Sequence, residues 1–196
     1  MTDKTEGGLD ALDEGPRPSD PEPRAERSRA PADPADHPTV AALMEEFGDA
    51  VTHHEVAPGD QHVVHVDPTR NREVLGWLFE HPDHDYKLLA DVTAVDFGDG
   101  APIQVVYQLF SLTYKRALRV KCLLEVDALE IDSVAPIWKT ADWLEREVYD
   151  LFGVTFRGHP DLRRILMPHD YAEGHPLRKD FPLRGRFSRA EQTRRA

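Results

Sequence analysis

Between Gly153 and Leu183, seven of 31 residues are Gly or Pro, at positions 153, 158, 160, 168, 174, 176 and 182. No interval between them holds more than a two-turn helix, and each proline removes a backbone donor. Yet the same stretch carries ten large apolar or aromatic side chains: Val154, Phe156, Leu162, Ile165, Leu166, Met167, Tyr171, Leu177, Phe181 and Leu183. A disordered linker lacks such anchors, and a folded unit lacks such breaks. The combination predicts an extended arm that lays its anchors on another protein, with Arg163, Arg164, Arg178 and Lys179 meeting carboxylates there. Burying such side chains at ~1.5–3 kcal/mol each holds a stable contact even after ordering costs. The alternative is that the arm wraps its own domain.

The charge distribution separates the arm from the rest. Residues 1–156 hold 14 basic and 31 acidic groups, whereas 157–196 hold 10 and 5. Residues 1–38 contain seven prolines and ten acidic residues with almost no large apolar side chains. Such a stretch cannot offset ~1–2 kcal/mol of backbone entropy per residue, so it is expected to be a disordered leader. Its acidic start carries no secretory signal pattern, and no apolar run reaches the ~20 residues of a membrane helix. The expectation is a soluble, intracellular protein.

Residues 39–152 read as one domain. Thr39 is placed to cap a short helix through Val40, Leu43, Met44 and Phe47. Two strands, 51–56 and 62–66, flank a hairpin turn at Pro58-Gly59-Asp60. Asp67 and Pro68 open a second helix that stops at His81-Pro82. Three further strands follow at 88–97, 103–114 and 118–126, the first pair joined by Gly98-Asp99-Gly100. The order helix, two strands, helix, three strands, helix predicts an α+β fold: a two-layer domain with a mixed five-stranded sheet, plus the extended C-terminal arm of 153–196.

The last helix is expected over 137–152. Ile137, Ala141, Leu144, Val148 and Leu151 draw one apolar stripe, and Gly153 suits a left-handed cap. Arg146 lies four residues from both Asp142 and Asp150 and is expected to pair with either. Glu145 and Glu147 point about 200° apart, so they do not converge on one substrate. Periodicity alone makes them part of a solvated, ion-paired helix face.

The run Glu145-Arg-Glu-Val-Tyr-Asp-Leu-Phe-Gly-Val-Thr-Phe-Arg-Gly-His-Pro-Asp-Leu-Arg-Arg-Ile-Leu, followed by Gly174-His-Pro-Leu-Arg-Lys-Asp-Phe-Pro-Leu, closely resembles the 30-kDa subunit family of respiratory complex I, NADH:quinone oxidoreductase, in which it is the C subunit. The resemblance implies a non-catalytic peripheral-arm subunit of a proton-translocating enzyme, on the cytoplasmic side of the membrane and associated with it through the complex. It implies no catalytic, cofactor-binding or metal residue in this chain, with iron–sulfur clusters and FMN carried by partner subunits. The implied neighbours are the large quinone-site D subunit, which the C-terminal segment would embrace, and the small iron–sulfur B subunit. The family signature maps onto Glu145, Arg146, Glu147, Asp150, His159 and Arg163, taken as fold and interface determinants, and Arg164, Arg178 and Phe181 join them as interface residues. Membrane-bound nickel–iron hydrogenases and ferredoxin- or deazaflavin-linked dehydrogenases use similar subunits, which leaves a second assembly open.

Other chemistries find little support. One cysteine, Cys122, cannot hold an iron–sulfur cluster or a disulfide framework. His53-His54 and His62/His65 lie on strands at spacings that point neighbours to opposite faces, and no His-Glu-x-x-His or Cys pair completes a metal site with them or with His159, His169 and His175. No dinucleotide or Walker loop is present. The tail arginines Arg184, Arg186, Arg189, Arg194 and Arg195 follow an acidic body that repels nucleic acid, so an acidic protein neighbour is expected for them.

Overall fold

The computed structural model describes residues 37–182. Most of the leader, Leu183 and the tail arginines lie outside the described residues.

Helix α1 spans Pro38–Glu46 and buries Thr39, Val40 and Leu43. Proline opens it because its fixed φ suits the first helical turn and its missing N–H has no partner there anyway. Thr39 is therefore not the cap. His37 takes that position without a side-chain capping bond, and Thr39 lies inside the helix, where its hydroxyl accepts from the Tyr86 hydroxyl at 3.3 Å. Strands β1 (Val51–Ala57) and β2 (Gln61–Val66) form the expected antiparallel hairpin, with Gly59 and Asp60 at positive φ in its turn. Asp67 accepts from the Thr69 amide at 2.8 Å and starts a 3-10 turn, Pro68–Arg70, that runs into α2 (Asn71–Glu80).

Strands β3 (Leu88–Val95), β4 (Ile103–Ser111) and β5 (Arg116–Leu124) complete a five-stranded sheet in the order β1-β2-β5-β4-β3. Within this sheet β2 and β5 run parallel, and the other three neighbouring pairs are antiparallel. The α2 crossover sends β3 off in the direction of β2, and two reversals return β5 to that direction beside it. Alternation sorts the faces. Ile103, Val105, Tyr107 and Leu109 of β4 and Leu118, Val120, Cys122 and Leu124 of β5 are buried in one core with Val40, Leu43, Leu75, Leu78 and Val148 of the helices. The opposite face is half-exposed and polar, with Gln108 accepting from Arg119 at 3.0 Å and Lys121 paired to Glu55 at 2.9 Å.

Helix α3 spans Ala141–Phe152, so residues 137–140, expected as its first turn, lie outside it. Gly153 caps it in the left-handed conformation at φ 83°. The domain does not end there. Residues Glu130–Asp132 (β6) and Thr155–Arg157 (β7) form a parallel two-stranded sheet, with Val154 and Phe156 in the core. Two of the arm's ten anchors are thus interior residues of the domain. The boundary at 152 falls inside a folded unit, because three-residue strands leave no periodic trace to read.

Candidate functional site

Of the signature residues, Glu145, Arg146, Asp150 and His159 have side chains buried where α3 meets the arm, while Glu147 and Arg163 are exposed. Asp150 is buried on the last turn of α3. Its Oδ2 accepts from three consecutive amides, Ile165 at 3.0 Å, Leu166 at 2.8 Å and Met167 at 2.8 Å. Its Oδ1 takes the Arg164 guanidinium at 2.6 Å. Burial pushes this carboxyl's pKa up, but the Met167 amide, Arg164 and the other two amides outweigh it and hold it below the ordinary carboxylate value. The Asp150 carbonyl accepts from Arg164 at 3.2 Å and from His175 Nδ1 at 2.9 Å. Arg164 also donates to the Gly174 carbonyl at 3.1 Å, which ties the two ends of the arm's loop to one helix end.

Arg146 corrects the pairing expected from helix spacing. It is buried and donates to the main-chain carbonyls of Arg163 at 3.2 Å and Arg164 at 3.5 Å, not to Asp142 or Asp150. Its guanidinium also sits 5.1 Å from the Trp143 ring centroid. A planar fork of donors fits carbonyls on an irregular loop segment, which helix periodicity does not reveal.

Glu145 is the second correction. It is fully buried, not solvated. Its Oε2 accepts from the Ser133 hydroxyl at 2.6 Å and its Oε1 from the Val134 amide at 2.7 Å, while Ser133 Oγ accepts from the Ala135 amide at 3.2 Å. The carboxyl thereby fixes the turn that enters α3. Burial raises its pKa to about 7 against these hydrogen bonds. Glu147 remains on the exposed side, so the two carboxylates do point apart.

The His159 ring is buried against the same helix. Nε2 lies 3.1 Å from the Asp142 carbonyl, which can only accept, and Nδ1 takes the Asp161 amide at 3.0 Å, which can only donate. The two contacts select the Nε2–H tautomer. The ring also approaches the Asp142 and Glu145 carboxyls, at 3.4 and 3.9 Å. Arg163 is exposed and pairs with Asp161, at 2.7 Å, in the same loop. Further along, the Leu177 amide donates to the Leu151 carbonyl at 3.1 Å and the Lys179 amide to Asp96 Oδ2 at 2.9 Å. Arg178 pairs with Asp180 at 3.1 Å, and the half-buried Phe181 closes a turn onto the Arg178 carbonyl.

The arm therefore wraps its own domain along much of its length, the alternative left open by composition. Leu162 and Met167 also pack partly against the core. What remains outward is Leu166 at 56% exposed and Leu177 at 51%, together with Trp143 of α3 at 62%. Asp150 and Glu145 hold backbone at the junction, and both oxygens of each carboxyl accept hydrogen bonds. The serine that holds Glu145 carries no sequence signal, since Ser133 lies in an irregular segment without a motif. Among the described residues, no group of three or more His, Cys, Asp or Glu converges to hold a metal ion, and no helix is long and apolar enough to cross a membrane.

Known proteins share this sequence and fold. The profile of the family described as "Respiratory-chain NADH dehydrogenase, 30 Kd subunit" matches residues 64–187. The chain is 44% identical over 146 residues to the C 2 subunit of NADH-quinone oxidoreductase from Rhizobium etli, covering 74% of this chain and 76% of that one. It is 41% identical over 148 residues to the C subunit of the same enzyme from Geotalea uraniireducens, covering 74% and 87%. A trypsin-resistant fragment of Nqo5 superimposes with a TM-score of 0.54 at 28% identity, over 63% of this chain and 99% of the fragment. A chain of an archaeal respiratory membrane complex, the membrane-bound sulfane sulfur reductase, gives 0.56 at 25% identity, over 74% and 84%. With the profile spanning Asp150, the arm and most of the sheet, this chain belongs to the 30-kDa subunit family of respiratory-chain NADH dehydrogenases.

Proposed function

We propose that this chain is a scaffold subunit of a proton-translocating NADH:quinone oxidoreductase, peripheral to the membrane on its cytoplasmic side and held there by the complex. It carries no cofactor. Its contribution is to position the quinone-reducing D subunit and the iron–sulfur B subunit, so that electrons from NADH pass through clusters and FMN held by neighbours. The observation that supports this most is the Asp150 junction: three amides and a guanidinium spend the site's polar capacity on fixing a bent segment that presents Leu166 outward, and the Leu151 carbonyl holds the amide of the equally outward Leu177. A rigid strap with apolar side chains turned to solvent suits a permanent protein neighbour, since preorganisation lowers the cost of docking. The likeness to a chain of a different respiratory membrane complex, the sulfane sulfur reductase, supports a second reading, in which this chain is the equivalent subunit of another membrane-bound assembly, a nickel–iron hydrogenase or a ferredoxin- or deazaflavin-linked dehydrogenase.

Affinity purification through this chain separates the readings. Recovery of the quinone-reactive and iron–sulfur neighbours with NADH:quinone reductase activity is expected. A Cys-rich nickel-site subunit in their place would select the second reading. Isolation of the chain as a stable monomer from cells expressing the whole assembly would remove both.

A further inference from the structure

Histidines from four elements meet at the end of the sheet away from the arm junction. His37 flanks α1 and is 7% exposed. Its ring centroid lies 4.5 Å from that of His62 on β2. Diagonally across the hairpin, His54 on β1 stacks on His62 with centroids 5.3 Å apart, and its Nε2 lies 3.1 Å from His62 Nδ1. Cross-strand pairing brings together side chains that sequence spacing sent to opposite faces of single strands. His84, 6% exposed in the turn after α2, stacks on His81 at 4.7 Å and tilts against Trp77 at 4.8 Å. Among the described residues, the Nδ1 atoms of His37, His54 and His84 are buried without a hydrogen-bond partner.

Two imidazole nitrogens at 3.1 Å share one proton, one donating and one accepting; protonation of one ring still leaves an acceptor on the other, and protonation of both removes the bond and sets two cations together. The charged surroundings add to this. His37 faces His62, Arg116, His54 and His84; His54 faces His53 and Glu55 as well; His84 faces His81, Asp83 and Arg116. Glu55 is already engaged by Lys121 at 2.9 Å and His65 at 3.4 Å. We infer that His37, His54 and His62, backed by Arg116 and His84, form an acid-operated release that holds α1 on the β1–β2 hairpin while the rings are neutral and frees it when they take up protons.

The titration supports the geometry. Burial, then His62, Arg116, His54 and His84, lower the His37 pKa to about 4. Burial is likewise the first cause that lowers His54, ahead of His62, and His84, ahead of His81. With the folded value below the unfolded 6.5, this contribution is complete above pH 6.5 and is lost as pH falls toward 4.

Hydrogen exchange of the full chain, corrected for intrinsic rates, tests the release. Between pH 7.5 and 5.5, α1 amides should lose roughly tenfold in protection through His37 alone, while β4 amides change less. His37→Asn, which removes the titrating ring, should abolish most of that loss, and His54→Gln should diminish it. Equal α1 protection at both pH values in the unaltered chain, or an undiminished loss in His37→Asn, overturns the inference. If either variant misfolds, ring NMR of the unaltered chain decides: His37 titrating near 6.5 overturns it, and titration well below supports it.

Discussion

Oδ1 of Asp150 lies 2.6 Å from Nη1 of Arg164, and the other oxygen of the same carboxylate closes on the three amides that follow Arg164. One side chain thus fixes both the charge and the path of the arm. Charge-assisted bonds of this kind are roughly twice as strong as neutral ones, and removing one partner leaves the others buried and unpaired.

Asp150→Ala should therefore cost about 3–5 kcal/mol in urea unfolding, the range for breaking a buried ion pair. Asp150→Asn keeps an oxygen for the amides but turns an NH2 toward Arg164, so it should fall between the two. Limited trypsin cleavage at Arg163 and Arg164 should accelerate in the same order. Unchanged cleavage in Asp150→Ala would show that other contacts hold the arm.

Gly153→Ala should destabilise by more than conformation alone requires. At φ 83° an alanine pays about 1–2 kcal/mol, and the added Cβ would lie 2.7 Å from the His175 ring. That ring holds the Asp150 carbonyl at 2.9 Å, so it cannot move without loosening the junction. Thermal unfolding of Gly153→Ala, His175→Ala and the double variant provides the check. The double variant should be less damaged than the sum of the singles; strict additivity would place the whole cost in the backbone.

Glu145 gives a pH dependence opposite in sign to that of the histidines. Its folded value of about 7 lies above the ordinary 4.5, chiefly through burial. The stability it contributes is complete below pH 4.5 and is lost as pH rises through 7, a change of up to about 3 kcal/mol. Glu145→Gln matches the protonated form in shape and does not titrate. The stability of the unaltered chain relative to Glu145→Gln should then decline across that window. A flat difference would mean that Ser133 and Val134 keep the carboxylate ionised in both states.

How far these features could be read from the residues depends on how local their causes are. Gly153 as a left-handed cap, the stripe of Ala141, Val148 and Leu151, and the turn at Gly59-Asp60 follow from short-range rules and stand in the structure. The mixed sheet follows from element order. Glu145 defeated the same rules, because a helical wheel gives the direction of a side chain and not what lies there; Ser133 and Val134 come from an irregular segment. Arg146 had two carboxylates at favourable spacing, yet two carbonyls of the arm won, since burial rewards satisfaction of backbone acceptors over an exposed ion pair. The arm's composition predicted anchors and breaks correctly but could not assign the anchors between its own core, which took Val154 and Phe156, and a neighbour.

Leu166 and Leu177 carry that remaining question. They are 56% and 51% exposed although their amides are bound to Asp150 and to the Leu151 carbonyl, so the backbone is fixed while the side chains are free. Substituting both with Ser should shift the isolated chain's stability by no more than about 0.5 kcal/mol per site, as for surface positions generally. If these side chains dock on a partner, the same double variant should reduce the amount of co-purifying subunits and, in equal proportion, quinone reductase activity in membranes. Trp143→Ser, 62% exposed on α3, tests whether the docking surface extends onto the helix. Full recovery of partners with the Leu166/Leu177 variant would move the interface elsewhere, whereas loss of activity with assembly intact would call for a role in turnover that the occupied hydrogen bonds of Asp150 and Glu145 do not provide.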